Sequence, residues 1–305
     1  MQKGTALFHL LALAVIAVWG VTFVSTKILI GEGLTPSAIF AIRFIMAYIG
    51  ILVLSLLGGK GRLFSDSVGD ELVFLFLGIT GGSLYFLTEN TALAYTQASN
   101  VAFLVCTAPV WTALFTIAGR RILKGRFADG LEKVRMSFPL IAGTLLALSG
   151  MALVFFDGSR PQLSLKGDLL SVSAALCWAL YSIFMGQMTK DYGPVFATRK
   201  VFFYGLLTII PFLLLNGDPF PQDVLSKPTV FLNLLFLGLI ASLACFVAWN
   251  VVMSRLGNVT ATNYVYLNPV FTLISAAIIL GERVPPMSLF GSAAILVGVI
   301  LAGKR

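Results

Sequence analysis

The chain carries a diverged copy of itself. Residues 75–112, shifted by 160 positions, fall on residues 235–272. Leu75-Phe76-Leu77-Gly78 meets Leu235-Phe236-Leu237-Gly238, Asn90 meets Asn250, and Pro109-Val110 meets Pro269-Val270. Shared Leu and Phe mean little in a chain this apolar. Matched Gly and Pro mean more, because each disfavours a helix interior. The match extends outward at altered offsets, Trp19 with Trp178 at 159 and Gly143/Gly150 with Gly291/Gly298 at 148. A unit of this length is neither a solenoid repeat nor a propeller blade. It is the size of half a membrane transporter.

Composition fixes the solvent. The 305 residues are 58% hydrophobic and 11% charged, against about 25% charged in a soluble domain. One soluble core could not bury so much apolar side chain, so a lipid bilayer is the expected environment. The net charge of +8 does not point to nucleic acid: the basic residues sit in short segments between apolar runs and form no stripe. Cys106, Cys177 and Cys245 each lie deep in an apolar run, which suggests neither a disulfide framework nor a metal site. The first apolar run lacks a small-residue cleavage site and is expected to be retained.

A span needs about 20 apolar residues. Breaking the chain at polar, Gly and Pro punctuation gives ten, near 8–30, 36–57, 71–95, 99–118, 137–156, 167–188, 194–215, 229–255, 258–280 and 286–303. The expected fold is an all-α integral membrane protein of ten transmembrane helices. Its halves are residues 1–156 and 157–305, with the seam near 157–166. Five spans per half is an odd number, so the second half begins on the other side of the membrane and the repeats are inverted. The change of offset leaves about 12 extra residues in the first half, near 124–135. Phe127, Leu131 and Val134 fall on one face of any helix there, which could lie at the membrane interface; a basic loop is the simpler reading.

With the N-terminus in the cytoplasm, the inner segments hold thirteen Lys and Arg residues and the outer loops four. That asymmetry places both termini inside a cytoplasmic membrane.

Ionisable residues within spans are costly and are functional candidates by default. Glu89 is the only acid far from a span end. Lys27 and Arg43 lie at a similar depth, all three within roughly 5–11 Å of the outer boundary at 1.5 Å rise per residue. Lys27 can snorkel to the outer headgroups or serve the site. Arg43 and Glu89 can form a structural pair, or can bind solute or proton. A carboxyl in a dry pocket can carry a proton, and a neighbouring guanidinium opposes that. Asn90 and Asn250 can tie helices together or face a shared cavity. Tyr85, Tyr264 and Asn268 add polar groups to the third and ninth spans, which are therefore the expected walls of a wet path. Trp19 and Trp178 suit either a solute or the core. Pro109 and Pro269 each remove a helix hydrogen bond near mid-span, and matched breaks of this kind point to the midplane site of a transporter. Gly143/Gly150 and Gly291/Gly298 read as close helix packing.

The chain holds no phosphate-binding GxxxxGK[ST] loop, no HExxH and no Cys/His cluster, so no ATP-driven pump, metalloenzyme or cofactor is expected.

Trp19-Gly20 with Phe23 and Lys27, Pro36 with Arg43, the Pro-centred segments 92–114 and 252–274, Gly281-Glu282-Arg283 and the Gly291/Gly298 pair occur in one order. This set resembles the EamA family of the drug/metabolite transporter superfamily, and the resemblance covers almost the whole chain. The chain departs from that pattern at Gly119-Arg120-Arg121, where the family often has an acid, and in the basic insert. The resemblance implies two inverted five-helix repeats around a central cavity, and export of amino acids and other small metabolites. The expectation is a secondary transporter of a small solute, possible proton coupling included, working in lipid and plausibly as a monomer. A passive facilitator of the same fold and a non-transporting membrane scaffold are the alternatives.

Overall fold

The computed structural model describes residues 5–57, 62–96, 98–131, 137–155, 164–216, 221–280 and 286–302. Among these residues there are helices and no strands, as expected where lipid leaves backbone groups no partner outside their own segment. The main helices are α1 (Ala6–Gly31), α2 (Pro36–Leu57), α3 (Val68–Tyr95), α4 (Asn100–Ile122), α5 (Phe138–Phe155), α6 (Leu165–Tyr192), α7 (Pro194–Asn216), α8 (Pro228–Leu256), α9 (Asn258–Ile279) and α10 (Pro286–Ala302). Eight are long and apolar enough to cross a membrane; α5 and α10 are the shorter apolar pair. At 1.5 Å per residue those two are about 25–27 Å long, a little less than a typical hydrocarbon core of about 30 Å. The outer surface is apolar: Leu54, Leu57, Leu214, Leu215 and Ile278 are all exposed. The seam near 157–166, Val134 and Gly281-Glu282-Arg283 lie largely or wholly outside the described residues.

The repeat is visible in local shape. A π-helical stretch interrupts α3 at Ile79–Ser83 and α8 at Phe236–Ala244, at corresponding places in the two halves. The glycine that begins each match brings another helix close. A Cβ on Gly78 would lie 2.9 Å from the backbone nitrogen of Gly205 on α7. A Cβ on Gly238 would lie 2.9 Å from Met46 Cβ on α2. Packing partners are exchanged between halves in the same way: α1 packs on α9 and α6 on α4, while α2 packs on α8 and α7 on α3.

The last helix of each half, α5 and α10, pack along one another. A Cβ on Gly143 would lie 2.6 Å from the Gly298 carbonyl oxygen, and one on Gly150 would lie 2.6 Å from that of Gly291. The glycines expected to allow close contact therefore meet each other. The higher-numbered glycine of one helix faces the lower-numbered one of the other, so α5 and α10 run antiparallel.

The prolines do not kink continuous helices. α4 breaks after Val105 and restarts at Ala108 with Pro109 in its first turn, where a missing N–H costs nothing. α9 passes through a 3-10 turn at Asn263–Leu267 and restarts at Asn268, immediately before Pro269. In its described part the insert is not a plain loop. Arg126–Gly130 forms a short helix whose Phe127 ring sits 5.5 Å from Phe184 on α6. Arg126 is ion-paired with Asp70 and lies 3.4 Å from Asp191. Two carboxylates and an aromatic face on the protein give this segment better partners than lipid does.

Candidate functional site

A cavity lies between α1, α2, α3, α4, α6, α8 and α9. Its frame consists of pairs related by the internal repeat: Trp19 with Trp178, Phe86 with Phe246, and Val105 with Val265. The indoles meet edge-on at 5.3 Å, and both touch Phe246. The site thus sits where the two halves face each other.

The chemistry of the cavity is not repeated. Arg43, Tyr85, Glu89, Asn268 and Thr22 also line it. At the positions corresponding to Tyr85, Glu89, Asn268 and Thr22 the other half has Cys245, Trp249, Ala108 and Tyr181. The charged groups come from α2 and α3 of the first half. Arg43 is 2% exposed; its Nε donates to Ser242 Oγ at 2.9 Å, and its guanidinium carbon lies 4.3 Å over the Phe86 ring. Glu89 is 7% exposed, and its Oε1 accepts from the Tyr85 hydroxyl at 2.7 Å.

Arg43 and Glu89 share the cavity without an ion pair within 4.0 Å, the described ion pairs lying elsewhere. Each is hydrogen-bonded to a neutral hydroxyl, and the two charges act on each other across the cavity without touching. Two further lining atoms, Trp178 Nε1 and Asn268 Oδ1, are buried with no hydrogen-bond partner. A buried polar group left unpaired costs about 1–3 kcal/mol, a cost that a polar solute could offset. The space for the centres of water-sized molecules is about 30 Å³, enough for two or three waters at about 10–15 Å³ each. A larger solute needs the walls to part.

Of the residues expected at the site, Trp19, Arg43, Tyr85, Glu89, Trp178 and Asn268 converge here. Four others lie elsewhere. Asn90 donates to the Pro36 carbonyl at 3.2 Å. Asn250 accepts from Tyr181 and donates to Thr198 Oγ1, both at 2.8 Å. The matched amides therefore tie α3 to α2 and α8 to α6 and α7. Lys27 donates to the Thr96 carbonyl at 3.1 Å, just past the end of α3. Tyr264 is hydrogen-bonded to His9 Nδ1 at 2.6 Å, where the start of α1 meets α9. The Phe86/Phe246 and Val105/Val265 pairs escaped sequence reasoning, although both obey the 160-residue offset. In so apolar a chain they looked like ordinary lipid-facing or core residues.

The fold and the site define a multi-pass membrane protein with an internal cavity lined by aromatic, aliphatic and a few charged side chains. The chain belongs to the EamA-like transporter family, whose model matches residues 6–156 and 165–303. It is 28% identical over 300 residues to an uncharacterized transporter of Archaeoglobus fulgidus, covering 97% of each chain. It is 28% identical to a probable amino-acid metabolite efflux pump of Salmonella typhimurium, covering 95% of this chain and 93% of that one. A probable terminal-alkyne amino-acid exporter of Streptantibioticus cattleyicolor is 24% identical, with 95% and 94% covered. A solved crystal structure with 18% identity superposes with a TM-score of 0.70, covering 99% of this chain and 97% of that chain, which supports the fold. The protein is a membrane transporter, so its partners are a small-molecule solute and lipid.

Proposed function

We propose that the chain is a secondary transporter that exports a small polar organic solute, an amino acid or a related metabolite, across the cytoplasmic membrane. The observation that carries this reading is the cavity with one carboxylate and one guanidinium that do not pair with each other. A zwitterion matches that arrangement: Arg43 takes its carboxylate and Glu89 its ammonium, while Trp19, Trp178 and Phe246 enclose its apolar part. The relatives named for efflux of amino acids and their metabolites agree with it.

Ten helices cross the membrane as two inverted five-helix repeats, residues 1–156 and 157–305, with both termini in the cytoplasm. The antiparallel α5–α10 pair and the exchanged packing partners support this arrangement. Contacts between chain ends support it too: Glu32–Lys227 and Tyr95–Lys166 join at one end of the bundle, Asp66–Tyr192 and His9–Tyr264 at the other. Alternating access rocks the halves against each other, with the matched breaks before Pro109 and Pro269 as hinges. Glu89 is the coupling carboxyl if protons drive export. Asn90, Asn250, Lys27 and Tyr264 act by positioning the walls.

Comparing metabolites in medium and cytoplasm of cells expressing the wild type or Glu89→Gln tests the proposal. An amino-acid-like solute that accumulates outside only with the wild type is expected. Depletion from the medium would make it an importer, and flux indifferent to uncouplers would make it a facilitator. Equal metabolites in both strains, with both proteins confirmed in the membrane, would sink the transport role of this cavity.

A further inference from the structure

At the end of the bundle that carries Arg62 and Asp66, a second and roomier cavity of about 340 Å³ opens between the end of α2 and the start of α7. That volume lies within the range of small-molecule sites, about 300–1,000 Å³. Its polar groups are cationic. Arg199 is 3% exposed and donates through Nη2 to the Arg62 carbonyl. Its guanidinium carbon lies 5.2 Å from the centre of the Phe196 ring. Among the described residues, no carboxylate lies within 4.0 Å of Arg199. Glu71 pairs with Lys200, and Asp66 pairs with Arg62 at the cavity itself, which leaves Arg199 as the guanidinium there without a carboxylate. A buried guanidinium without an anion is costly, and buried charges are ordinarily paired.

Two further features of this cavity favour an anion. Arg62 lies 5.2 Å over the Tyr192 ring and 5.7 Å over Phe196, so a second guanidinium sits on the same aromatic wall, where Tyr192 and Phe196 stack at 5.2 Å. The first turn of α7, Pro194 to Phe196, lines the cavity. The residue before it is Gly193 at φ +82°, which turns the chain from α6 into α7 and has no side chain with which to cap. First-turn N–H groups have no intrahelical acceptor, and the helix dipole favours negative charge at that end.

We propose that this cavity binds a phosphate group, held by Arg199 and Arg62 against the N-terminus of α7. The headgroup of an anionic phospholipid and a free phosphate share that chemistry, and the test separates them. The site is separate from the central cavity and does not depend on which solute is carried.

The test is binding to the purified full-length protein, read by native mass spectrometry and by thermal unfolding, with phosphatidylglycerol, phosphatidylcholine and inorganic phosphate as probes. Phosphatidylglycerol should bind and raise the unfolding temperature; phosphatidylcholine should not. Arg199→Gln should weaken phosphatidylglycerol binding about tenfold or more, as loss of a charged hydrogen-bonding group does. Arg121→Gln, outside the cavity, should leave it unchanged. If Arg199→Gln does not fold, Arg62→Gln carries the test, because the Arg62 side chain is 47% exposed. Equal effects from inorganic phosphate would keep the site and identify a soluble ligand. Equal binding of both lipids by the wild type, with no effect of phosphate, would overturn the proposal. So would Arg199→Gln or Arg62→Gln binding phosphatidylglycerol as the wild type does.

Discussion

Arg43→Gln separates a structural role of the guanidinium from a solute-binding one. A buried ion pair that loses one partner is destabilised by about 3–5 kcal/mol. Arg43 has no such pair within 4.0 Å; its described hydrogen bond is to Ser242 Oγ at 2.9 Å. Losing that bond costs about 0.5–1.5 kcal/mol, and removing a charge that is 2% exposed offsets some of it. Loss of the cation–π contact with Phe86 costs about 0.5–2 kcal/mol more, so the fold should weaken by no more than about 3 kcal/mol. Transport should fall much further. A solute carboxylate held by a guanidinium contributes about 1.5–3 kcal/mol, so half-saturation for the solute should rise roughly 10- to 100-fold. Arg43→Lys should fall in between, because it keeps the charge but not the planar fork that grips a carboxylate. The assay is uptake of the identified solute into everted membrane vesicles, with thermal unfolding of the purified variants alongside. Wild-type half-saturation in Arg43→Gln would refute the binding role. A collapse of stability beyond about 3 kcal/mol would instead show that Arg43 serves the fold through an ion pair.

The matched asparagines should differ in weight. Interhelical bonds within a membrane contribute about 0.6 kcal/mol on average. Asn250 makes two such bonds, to Tyr181 and Thr198, whereas Asn90 makes one and leaves Oδ1 unpaired; Asn250→Ala should lower the unfolding temperature more than Asn90→Ala. Gly143→Val should destabilise by about 1–3 kcal/mol, because its Cβ would meet α10 backbone, Gly298 O at 2.6 Å and Ala302 Cα at 2.8 Å; thermal unfolding checks it, and an unchanged midpoint would contradict the close α5–α10 contact. Lys227 has its ammonium held above the ordinary lysine value by the Glu32 carboxylate. Its folded value exceeds its unfolded one, so the pair's contribution is complete below the lysine range and fades only as pH rises through that range. Unfolding temperatures of wild type and Lys227→Ala should therefore converge only in strong alkali.

The sequence reveals the repeat because Gly, Asn and Pro stand out against an apolar background. Gly78/Gly238 and Gly143/Gly298 then prove to be close contacts, since only a missing side chain lets backbones approach that far. The π-helical stretch in α3 coincides with Gly81-Gly82, where Gly82 leaves the helical region at φ −122° and ψ −106°, whereas the one in α8 leaves no such trace. Phe236–Ala244 consists mostly of ordinary helix-compatible residues. At the site, Arg43 and Glu89 stood out because charge is rare in a span, and both reach the cavity. Lys27 stood out for the same reason and caps a helix end, because depth along a helix does not say which face a residue occupies. Asn90 and Asn250 show the converse. Their symmetry suggested a shared cavity, but it records the same tie made in each half.

The two tryptophans carry the sharpest form of this contrast between a repeated frame and unrepeated chemistry. They occupy matched positions, touch each other at 5.3 Å and line one cavity. Trp19 Nε1 donates to the Ala241 carbonyl at 3.0 Å, whereas Trp178 Nε1 is buried and unpaired. Replacing either with Phe removes similar ring volume, so the packing loss is common to both and the difference between the variants isolates the N–H. Trp19→Phe also leaves the Ala241 carbonyl without its partner, while Trp178→Phe removes a donor that costs about 1–3 kcal/mol as it stands. Trp178→Phe should therefore be more stable than Trp19→Phe by about 1–3 kcal/mol, yet should be the one with weaker solute affinity if its free N–H serves the solute. Thermal unfolding and vesicle transport on the same two preparations decide it. Equal stabilities would mean that the Trp178 N–H already has a partner in the membrane. Wild-type affinity in Trp178→Phe would leave its indole a wall of the cavity and no more.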